Sequence, residues 1–380
     1  VVEAATVTVC DDADALIIAA MPEMAKATNV FHGNWFTTTP YEMRRIGRAM
    51  ILMSQFQKRC QTTTRYTLLH CAQCLNIRGL TAHRLFRDDL VRWQQLIAPF
   101  WLHDLMAGVA VTAMPSGEWR LFEVGCEALD LFLQSHIPGA AYLDTNSLEE
   151  EPFWNKVPDP DLLRALLDAG IRCDTTVVLY GRHTTAAARA AHLLLYAGVK
   201  DVRLLDGGLP AWQRADLPLA TGAAHVYPPA TAFGAEFPGC PQYLIDTLQA
   251  RVLLLQRDGA LVSIRTWEEF TGKTSGYSYI KARGEIPGAR WGHAGDDDDM
   301  NSMSTFQQPD GTMRPAHEIC QFWRDEDIHP HQQVAFYCGT GWRASMAFYY
   351  AWLMNWERIS VYDGGWFEWS SNSPDDFNAD

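Results

Sequence analysis

A cysteine that is followed by a glycine-rich loop is the segment of this sequence with the clearest chemical potential. The run Gln333–Cys338 is typical of a short β-strand, and Ala344–Asn355 is typical of a helix. Cys338 is therefore expected where ligands bind in open α/β sheets, between the carboxyl end of a strand and the start of a helix. Gly339 and Gly341 let successive backbone amides point at one centre, and such a nest favours the nucleophilic thiolate.

The residues around this cysteine form one candidate site. Cys338 is the candidate catalytic nucleophile, and Arg343 adds a permanent positive charge that suits an oxyanion. The alternative is a buried core cysteine beside a turn, but the pattern Gly-x-Gly-Trp-Arg favours a loop that holds a ligand. The candidate substrate-binding residues are the five that follow the cysteine: Gly339, Thr340, Gly341, Trp342 and Arg343.

The elements that must position this loop occur twice in the sequence. Thr176–Gly181 matches Gln333–Cys338 at an offset of 157 residues. After each run come a helical pattern, a second short strand and an Asp-Gly-Gly triplet, at 206–208 and at 363–365. Short strands that alternate with helices indicate parallel βα units. We therefore predict an α/β fold of tandem domains, each a small parallel sheet flanked by helices.

The length of 380 residues suits two or three domains. We predict a degenerate copy of the repeat at 1–97, an inactive domain at 98–228 and a catalytic domain at 241–380. The first copy is faint and depends on segments such as Gly79–Phe86, which resembles the turn and second strand of the other copies. The stretch around 290–312 is polar and is expected to be a loop inserted in the third copy.

The second copy lacks a nucleophile at the decisive position. Gly181 stands where the third copy has Cys338, and glycine has no side chain that could act as a nucleophile. His183 is expected to be an exposed loop residue. We predict that the second copy is structural or binds a partner, and that it helps to form a cleft with the third. In the first copy Cys60 lies near the expected region, but no suitable loop surrounds it.

Composition excludes several classes of function. The 45 acidic and 31 basic side chains leave a net charge of −14, which argues against a nucleic-acid binder. No apolar run approaches the ~18 residues of a membrane-spanning helix. The nine cysteines are an odd number, so at least one thiol is expected to be free, and we assign that thiol to Cys338.

Other clusters of polar residues are weak candidates for metal sites. Cys71 and Cys74 share a predicted helix face but lack a second pair of ligands. Asp296–Asp299 lacks the alternating spacing of a calcium loop. His329 and His331 have no nearby carboxylate or thiol partner in the sequence. We therefore predict no metal site.

Six motifs together resemble the rhodanese family of sulfurtransferases. The likeness is strong over 98–372 and faint over 1–97. The motifs are WLHDL at 101–105, SHIPGAAYLDTN at 135–146, FWNKV at 153–157, TSGYSYIK at 274–281, ARWGHAG at 289–295 and CGTGWR at 338–343.

This resemblance implies a ping-pong transfer of sulfane sulfur. The Cys338 thiolate would attack thiosulfate or a similar donor, and sulfite would leave. The loop amides would hold the resulting persulfide until a thiophilic acceptor, such as cyanide or a thiol, removes the outer sulfur. The resemblance implies neither a metal nor an organic cofactor. A protein is a further candidate acceptor, and the resemblance implies a periplasmic location, with the cytoplasm as the alternative.

Details of the loop separate the alternatives within this chemistry. Cysteine phosphatases of similar fold place five residues between cysteine and arginine, whereas four separate Cys338 from Arg343. Relatives that use 3-mercaptopyruvate end the loop in threonine, so thiosulfate is the preferred donor. A mercaptopyruvate sulfurtransferase and a non-enzymatic binding module of the same fold remain the alternatives. Candidate supporting residues are Arg265, Glu269 and Lys281; Arg265 lacks its customary aspartate partner, and we expect it to be structural.

The insertion that contains Lys281 also holds two tyrosines, Tyr277 and Tyr279. These side chains could wall the site. We predict instead that the insertion is an exposed surface loop.

Overall fold

The computed structural model describes residues 87–372, and two five-stranded parallel sheets form its framework. The strands of the first sheet are arranged in the order β1-β7-β6-β2-β3. A short antiparallel pair, β4 (Glu149–Glu150) and β5 (Asn155–Lys156), lies outside this sheet. The sheet consists of β1 (Leu96–Ile97), β2 (Trp119–Gly125), β3 (Ala141–Asp144), β6 (Thr176–Gly181) and β7 (Asp201–Leu205).

The second sheet repeats this arrangement. Its order is β8-β12-β11-β9-β10, so in both sheets the first strand pairs with the fifth and the fourth strand lies in the centre. This shared topology confirms the predicted α/β fold of tandem parallel sheets flanked by helices. The strands are β8 (Leu244–Ile245), β9 (Gly259–Ser263), β10 (Arg290–Trp291), β11 (Gln333–Tyr337) and β12 (Ile359–Tyr362).

Helices connect the strands of each sheet. None of the helices between residues 87 and 372 has the length and apolar composition needed to cross a membrane. The first half contains α1 (Pro99–Met106), α2 (Leu129–Gln134), α3 (Asp159–Asp168), α4 (Thr184–Ala197) and α5 (Gly208–Arg214). The second half contains α6 (Thr247–Leu254), α7 (Trp267–Phe270), α8 (Ala316–Asp325), α9 (Trp342–Leu353) and α10 (Gly365–Asn372).

The helices α4 and α9 pack against each other and join the two halves. Thirteen of the fourteen residues of α4 are buried, so this helix is covered on every side, and its alanines and leucines make it largely apolar. The ring of Phe348 in α9 lies 4.7 Å from that of His192 in α4. Tyr349 Oη donates to the carbonyl oxygen of Val202 at 2.9 Å. One continuous apolar core therefore includes residues of both halves.

Several expectations concern the limits of the domains. Leu96 and Ile97 lie just before the limit predicted at residue 98, and they pair with Leu204 and Leu205 of β7. The stretch 229–240, which is predicted to separate the second and third domains, forms neither helix nor strand, and a 3-10 turn at Pro241–Tyr243 follows it. Gly79–Phe86 and most of the predicted first domain lie outside the described residues. The domain limits therefore stay predictions.

Candidate active site

Cys338 directly follows β11, which is the central strand of the second sheet. The thiol is buried, with 1% of the residue exposed. The amide of Gly341 donates to Cys338 Sγ at 3.1 Å. Gly341 has a φ of +111°, a left-handed conformation that L side chains rarely adopt, and α9 begins at the next residue. The sulfur atom thus lies at a helix N-terminus and accepts a backbone amide, an arrangement that stabilises negative charge on sulfur.

Tyr277 supports this loop from the inserted segment. Its Oη accepts the amide of Gly339 at 3.0 Å. A Cβ at position 339 would lie 2.2 Å from the Tyr277 ring, so only glycine fits there. Burial raises the pKa of Tyr277 well above its ordinary value, and the phenol therefore stays neutral. The prediction of an exposed surface loop is wrong for Tyr277, because its ring packs beneath the loop with 8% of its surface exposed.

Arg343 is buried and paired rather than free. Its Nη1 and Nη2 each donate to one carboxylate oxygen of Glu269 at 2.8 Å. Nη2 also donates to Tyr277 Oη at 2.6 Å. Burial opposes ionisation of Glu269, but the charge and hydrogen bonds of Arg343 hold the pKa of this carboxyl below its ordinary value. Arg343 thus ties the start of α9 to Glu269 and Tyr277. The sequence suggested instead a positive charge that faces the sulfur donor.

Glu269 is itself fixed by a capping box at the start of α7. Its Oε2 accepts the amide of Thr266, and the Thr266 hydroxyl accepts the amide of Glu269. The Thr-x-x-Glu spacing of such a box is visible in the sequence. Its pairing with Arg343 is not, because 74 residues separate the two side chains.

The other candidate supporting residues have different environments. Arg265 is fully buried; it donates to Ser263 Oγ at 3.1 Å and to a carboxylate oxygen of Glu285 at 2.7 Å. Glu285 thus supplies the ion pair that the missing aspartate would have made, which supports a structural role for Arg265. Lys281 is exposed to solvent.

The first half also contributes to the surroundings of the loop. Trp342 Nε1 donates to Glu149 Oε1 at 2.7 Å. Phe153 lies 5.3 Å from the ring of Phe367, which in turn lies 5.7 Å from the ring of Tyr279. The contacts of Trp342 with Glu149 and of Phe153 with Phe367 join residues about 200 positions apart, and no local sequence signal could have revealed them.

The corresponding loop of the first half has no room for a nucleophile. Gly181 ends β6, and a Cβ placed there would lie 2.5 Å from the carbonyl oxygen of His183. His183 itself is exposed, as predicted. A cavity of about 350 Å³ lies beside this loop and is lined by Thr185 of the first half and by Asp299 of the insertion in the second. Cys338 does not line this cavity, which lies beside the loop without a cysteine.

The weak metal candidates gain no support between residues 87 and 372. No group of three or more His, Cys, Asp or Glu side chains is placed there to hold an ion. The expectation that His329 lacks a carboxylate partner is wrong, because its Nε2 lies 3.1 Å from Asp327 Oδ1. Asp296–Asp299 is exposed. Cys60, Cys71 and Cys74 lie outside the described residues.

Two stretches of the chain match one protein family. The family described as Rhodanese-like domain matches residues 113–215 and 248–372, one match for each sheet. The chain belongs to the rhodanese-like family. Both matches fall within the described residues, so the rhodanese-like fold is present twice, once with a cysteine and once with a glycine at the loop.

Curated rhodanese-like relatives cover much of this chain. It is 56% identical over 285 residues to the thiosulfate sulfurtransferase YnjE of Escherichia coli (strain K12), covering 75% of this chain and 65% of that protein. It is 31% identical over 271 residues to the sulfur carrier protein TtuD of Thermus thermophilus, covering 66% of this chain and 88% of that protein. The chain thus spans 65% of the length of the E. coli relative.

Solved structures show the same rhodanese-like architecture. The crystal structure of YnjE superposes with a TM-score of 0.72 at 56% identity, over 74% of this chain and 67% of the other. An anaerobic ergothioneine biosynthesis enzyme from Chlorobium limicola, in complex with trimethyl histidine, superposes with a TM-score of 0.72 at 37% identity. The second alignment covers 75% of this chain and 70% of the enzyme.

Proposed function

We propose that this protein is a sulfurtransferase that takes sulfane sulfur from thiosulfate onto Cys338. The observation that carries the proposal is the amide of Gly341 directed at Cys338 Sγ at the start of α9. A hydrogen bond to a charged acceptor contributes about 1.5–3 kcal/mol, and the helix dipole acts in the same direction. Both effects favour the thiolate that the reaction requires.

In the first half-reaction, the Cys338 thiolate attacks the outer sulfur of thiosulfate. A new S–S bond forms at Cys338 while the S–S bond of thiosulfate breaks, and sulfite leaves with the electron pair. The terminal sulfur of the persulfide then carries the negative charge, and the amides of the loop are the donors that can hold it. No other group needs to be oxidised or reduced.

In the second half-reaction, a thiophilic acceptor attacks the outer sulfur. Cyanide would leave as thiocyanate, a thiol would become a persulfide, and Cys338 would return as the thiolate. The E. coli relative is a thiosulfate sulfurtransferase and the T. thermophilus relative a sulfur carrier protein, which supports thiosulfate as donor and a protein as a further acceptor. The 3-mercaptopyruvate sulfurtransferase of E. coli (strain K12) is 25% identical, and that donor is the less favoured alternative.

Steady-state production of thiocyanate from thiosulfate and cyanide tests this proposal. Ping-pong kinetics should give parallel lines in double-reciprocal plots, and Cys338→Ser should lower turnover at least about 10³-fold. Cys126 is an exposed free thiol and provides the matched control, since Cys126→Ser should leave turnover unchanged. Full retention of biological activity by Cys338→Ser would favour a non-enzymatic binding module instead.

A second candidate function concerns the acceptor. Aromatic rings line up beside the loop from Tyr277 through Tyr279 and Phe367 to Phe153, and Tyr279 is 41% exposed. Aromatic faces attract quaternary ammonium groups. Solved relatives are complexes with trimethyl histidine and with ergothioneine covalently linked with a cysteine persulfide. These observations favour trimethyl histidine as an acceptor of the Cys338 sulfur. An imidazole ring carbon would form a bond with the outer sulfur and lose its proton to solvent, while the S–S bond breaks and Cys338 returns as the thiolate.

Mass spectrometry can test this acceptor. Protein loaded with sulfur would be mixed with trimethyl histidine, and the second candidate predicts ergothioneine as a product. Tyr279→Ala should reduce its yield more than it reduces thiocyanate formation. Thiocyanate without any ergothioneine would reject this candidate and leave the first intact. The periplasmic location implied by the resemblance stays a prediction, which cell fractionation can check.

A further inference from the structure

One buried arginine of the first half lies against the loop of the second half. Arg189 belongs to α4, and 0% of its surface is exposed. Its Nε donates to Glu149 Oε2 at 2.9 Å, and its Nη2 lies 2.8 Å from Asp363 Oδ1. Because Glu149 belongs to the first half and Asp363 to the second, this guanidinium joins two buried carboxylates across the interface.

The first of these carboxylates holds the loop itself. Glu149 uses its other oxygen, Oε1, to accept Trp342 Nε1 at 2.7 Å. Trp342 is the residue at which α9 begins, directly after Gly341. The position of the helix N-terminus therefore depends on Glu149, and Arg189 fixes the orientation of that carboxylate.

The second carboxylate lies beside the segment 364–366, which contacts the backbone of Cys338 and is called here the support of the loop. Asp363 precedes two glycines, and the amide of Trp366, which follows them, donates to the carbonyl oxygen of Cys338 at 2.8 Å. A Cβ at Gly365 would lie 2.7 Å from that same oxygen, so loop and support are in close contact. Arg189 thus acts on the loop from two directions.

Arg189 also approaches the loop backbone directly. Its Nη1 is buried and has no hydrogen-bond partner among the described residues. A Cβ at Gly341 would lie 3.1 Å from this Nη1. The guanidinium therefore packs closely against the residue whose amide contacts Cys338 Sγ, and a side chain at position 341 would press on it.

We propose that Arg189, a residue of the rhodanese-like domain without a cysteine, is a positioning residue for the Cys338 loop. The proposal depends on the proposed function, because it concerns the loop that would take up the sulfur atom. Arg189 holds Glu149 and Asp363, and these in turn hold Trp342 and the support of the loop. Without the arginine, two buried carboxylates of like charge would face each other and displace both segments.

The test compares Arg189→Gln with the wild type in two rate measurements. The first is alkylation of Cys338 by iodoacetamide, followed by peptide mass spectrometry, which needs no sulfur donor. The second is single-turnover loading with thiosulfate over a range of concentrations. We expect the rate constant of alkylation and the maximal rate of loading each to fall about 10- to 100-fold, as for a displacement of the reacting sulfur by about 1 Å. The half-saturating thiosulfate concentration should change less than the maximal rate, because Arg189 does not contact the donor.

A matched control separates positioning from general destabilisation. Arg203 is another buried arginine of the first half, and its partners Asp201 and Ala113 also belong to that half. Arg203→Gln should lower the melting temperature and leave the alkylation rate of folded protein unchanged. If Arg189→Gln does not fold, Trp342→Phe replaces it, because this change keeps both ion pairs of Arg189 and removes only the link from Glu149 to the loop.

The outcomes distinguish the two proposals. If the wild type takes no sulfur from thiosulfate, the proposed function is wrong, and the alkylation rates still test Arg189. If the wild type is loaded and both Arg189→Gln and Trp342→Phe react at wild-type rates, the inference about Arg189 is wrong. A partial recovery of the rate in Arg189→Lys, which keeps the charge but not the planar fork, would support it.

Discussion

The two rhodanese-like halves share a topology and differ in what their loops can hold. In the first half a Cβ at Gly208 would lie 2.5 Å from the Gly181 carbonyl oxygen, and in the second a Cβ at Gly365 would lie 2.7 Å from the carbonyl oxygen of the equivalent residue, Cys338. The backbone of the loop thus rests on a glycine in both. The comparison teaches that the scaffold alone does not make the site, since only the second loop has a thiol and an amide directed at it.

In each half, an aspartate at the equivalent position contacts the other half. Asp206 accepts the amide of Met313, which belongs to the second half, at 2.8 Å. Asp363 forms an ion pair with Arg189 of the first half. Each domain therefore anchors the other beside its loop, but only the contact at Asp363 includes a buried arginine.

The largest effect is expected from the ion pair beneath the second loop. The first half has Ala186 at the position of Arg343, so this pair exists in one half only. Glu269→Gln leaves a buried guanidinium without its carboxylate and should lower the free energy of unfolding by about 3–5 kcal/mol. Urea titration measures this change. The neighbouring Glu268→Gln, whose partner Lys273 is exposed, should cost less than about 1 kcal/mol; equal losses would contradict the assignment.

The next effect is a pH dependence at Asp206. Burial raises the pKa of Asp206 to about 7 from an ordinary value of 3.8. The folded state thus favours the protonated acid, and stability should fall as pH rises from about 4 to about 8. In Asp206→Asn, the free energy of unfolding should fall by about 2–4 kcal/mol less over this pH range than in the wild type. Chemical denaturation at several pH values checks it, and parallel pH profiles of wild type and variant would contradict it.

A smaller effect is expected when a thiol is placed in the first loop. Gly181→Cys puts a Cβ close to a carbonyl oxygen and should cost about 1–3 kcal/mol through overpacking. The variant should not form a second persulfide, because the first loop has no backbone amide placed as the amide of Gly341 is toward Cys338 Sγ. Gly117→Ala, where a Cβ meets no atom within 4 Å, is the control. Two sulfur atoms per chain after thiosulfate treatment would show that the first loop is competent.

The smallest effect is expected at the tyrosine beneath the loop. Tyr277→Phe removes the acceptor of the Gly339 amide and of one Arg343 bond, which should cost about 1–2 kcal/mol. Sulfur loading should slow by a few fold, because the loop loses one of its supports. Tyr279→Phe changes a more exposed hydroxyl and should leave the melting temperature nearly unchanged. A larger loss of stability in Tyr279→Phe than in Tyr277→Phe would reverse this order.

The repeat in the sequence predicted the central strands and the place of the cysteine. Apolar runs and the constant offset were sufficient because β6 and β11 are long enough to show a pattern. Strands of two residues, such as β1, β8 and β10, carry no periodicity, and they form through pairing with a neighbour.

The charges around the loop could not be predicted in the same way. The pairs of Arg343 with Glu269 and of Trp342 with Glu149 span 74 and 193 positions, so they depend on how the sheets and halves pack. A sequence shows which side chains are charged, but the fold decides which of them neutralise each other.

Intact mass spectrometry before and after thiosulfate tests the central claim most directly. Wild-type protein should gain the mass of one sulfur atom and lose it again when cyanide is added. Cys338→Ser, which retains Gly341 and the rest of the loop, should gain none. Sulfur that is bound by Cys338→Ser, or a wild type that gains none, would contradict the account.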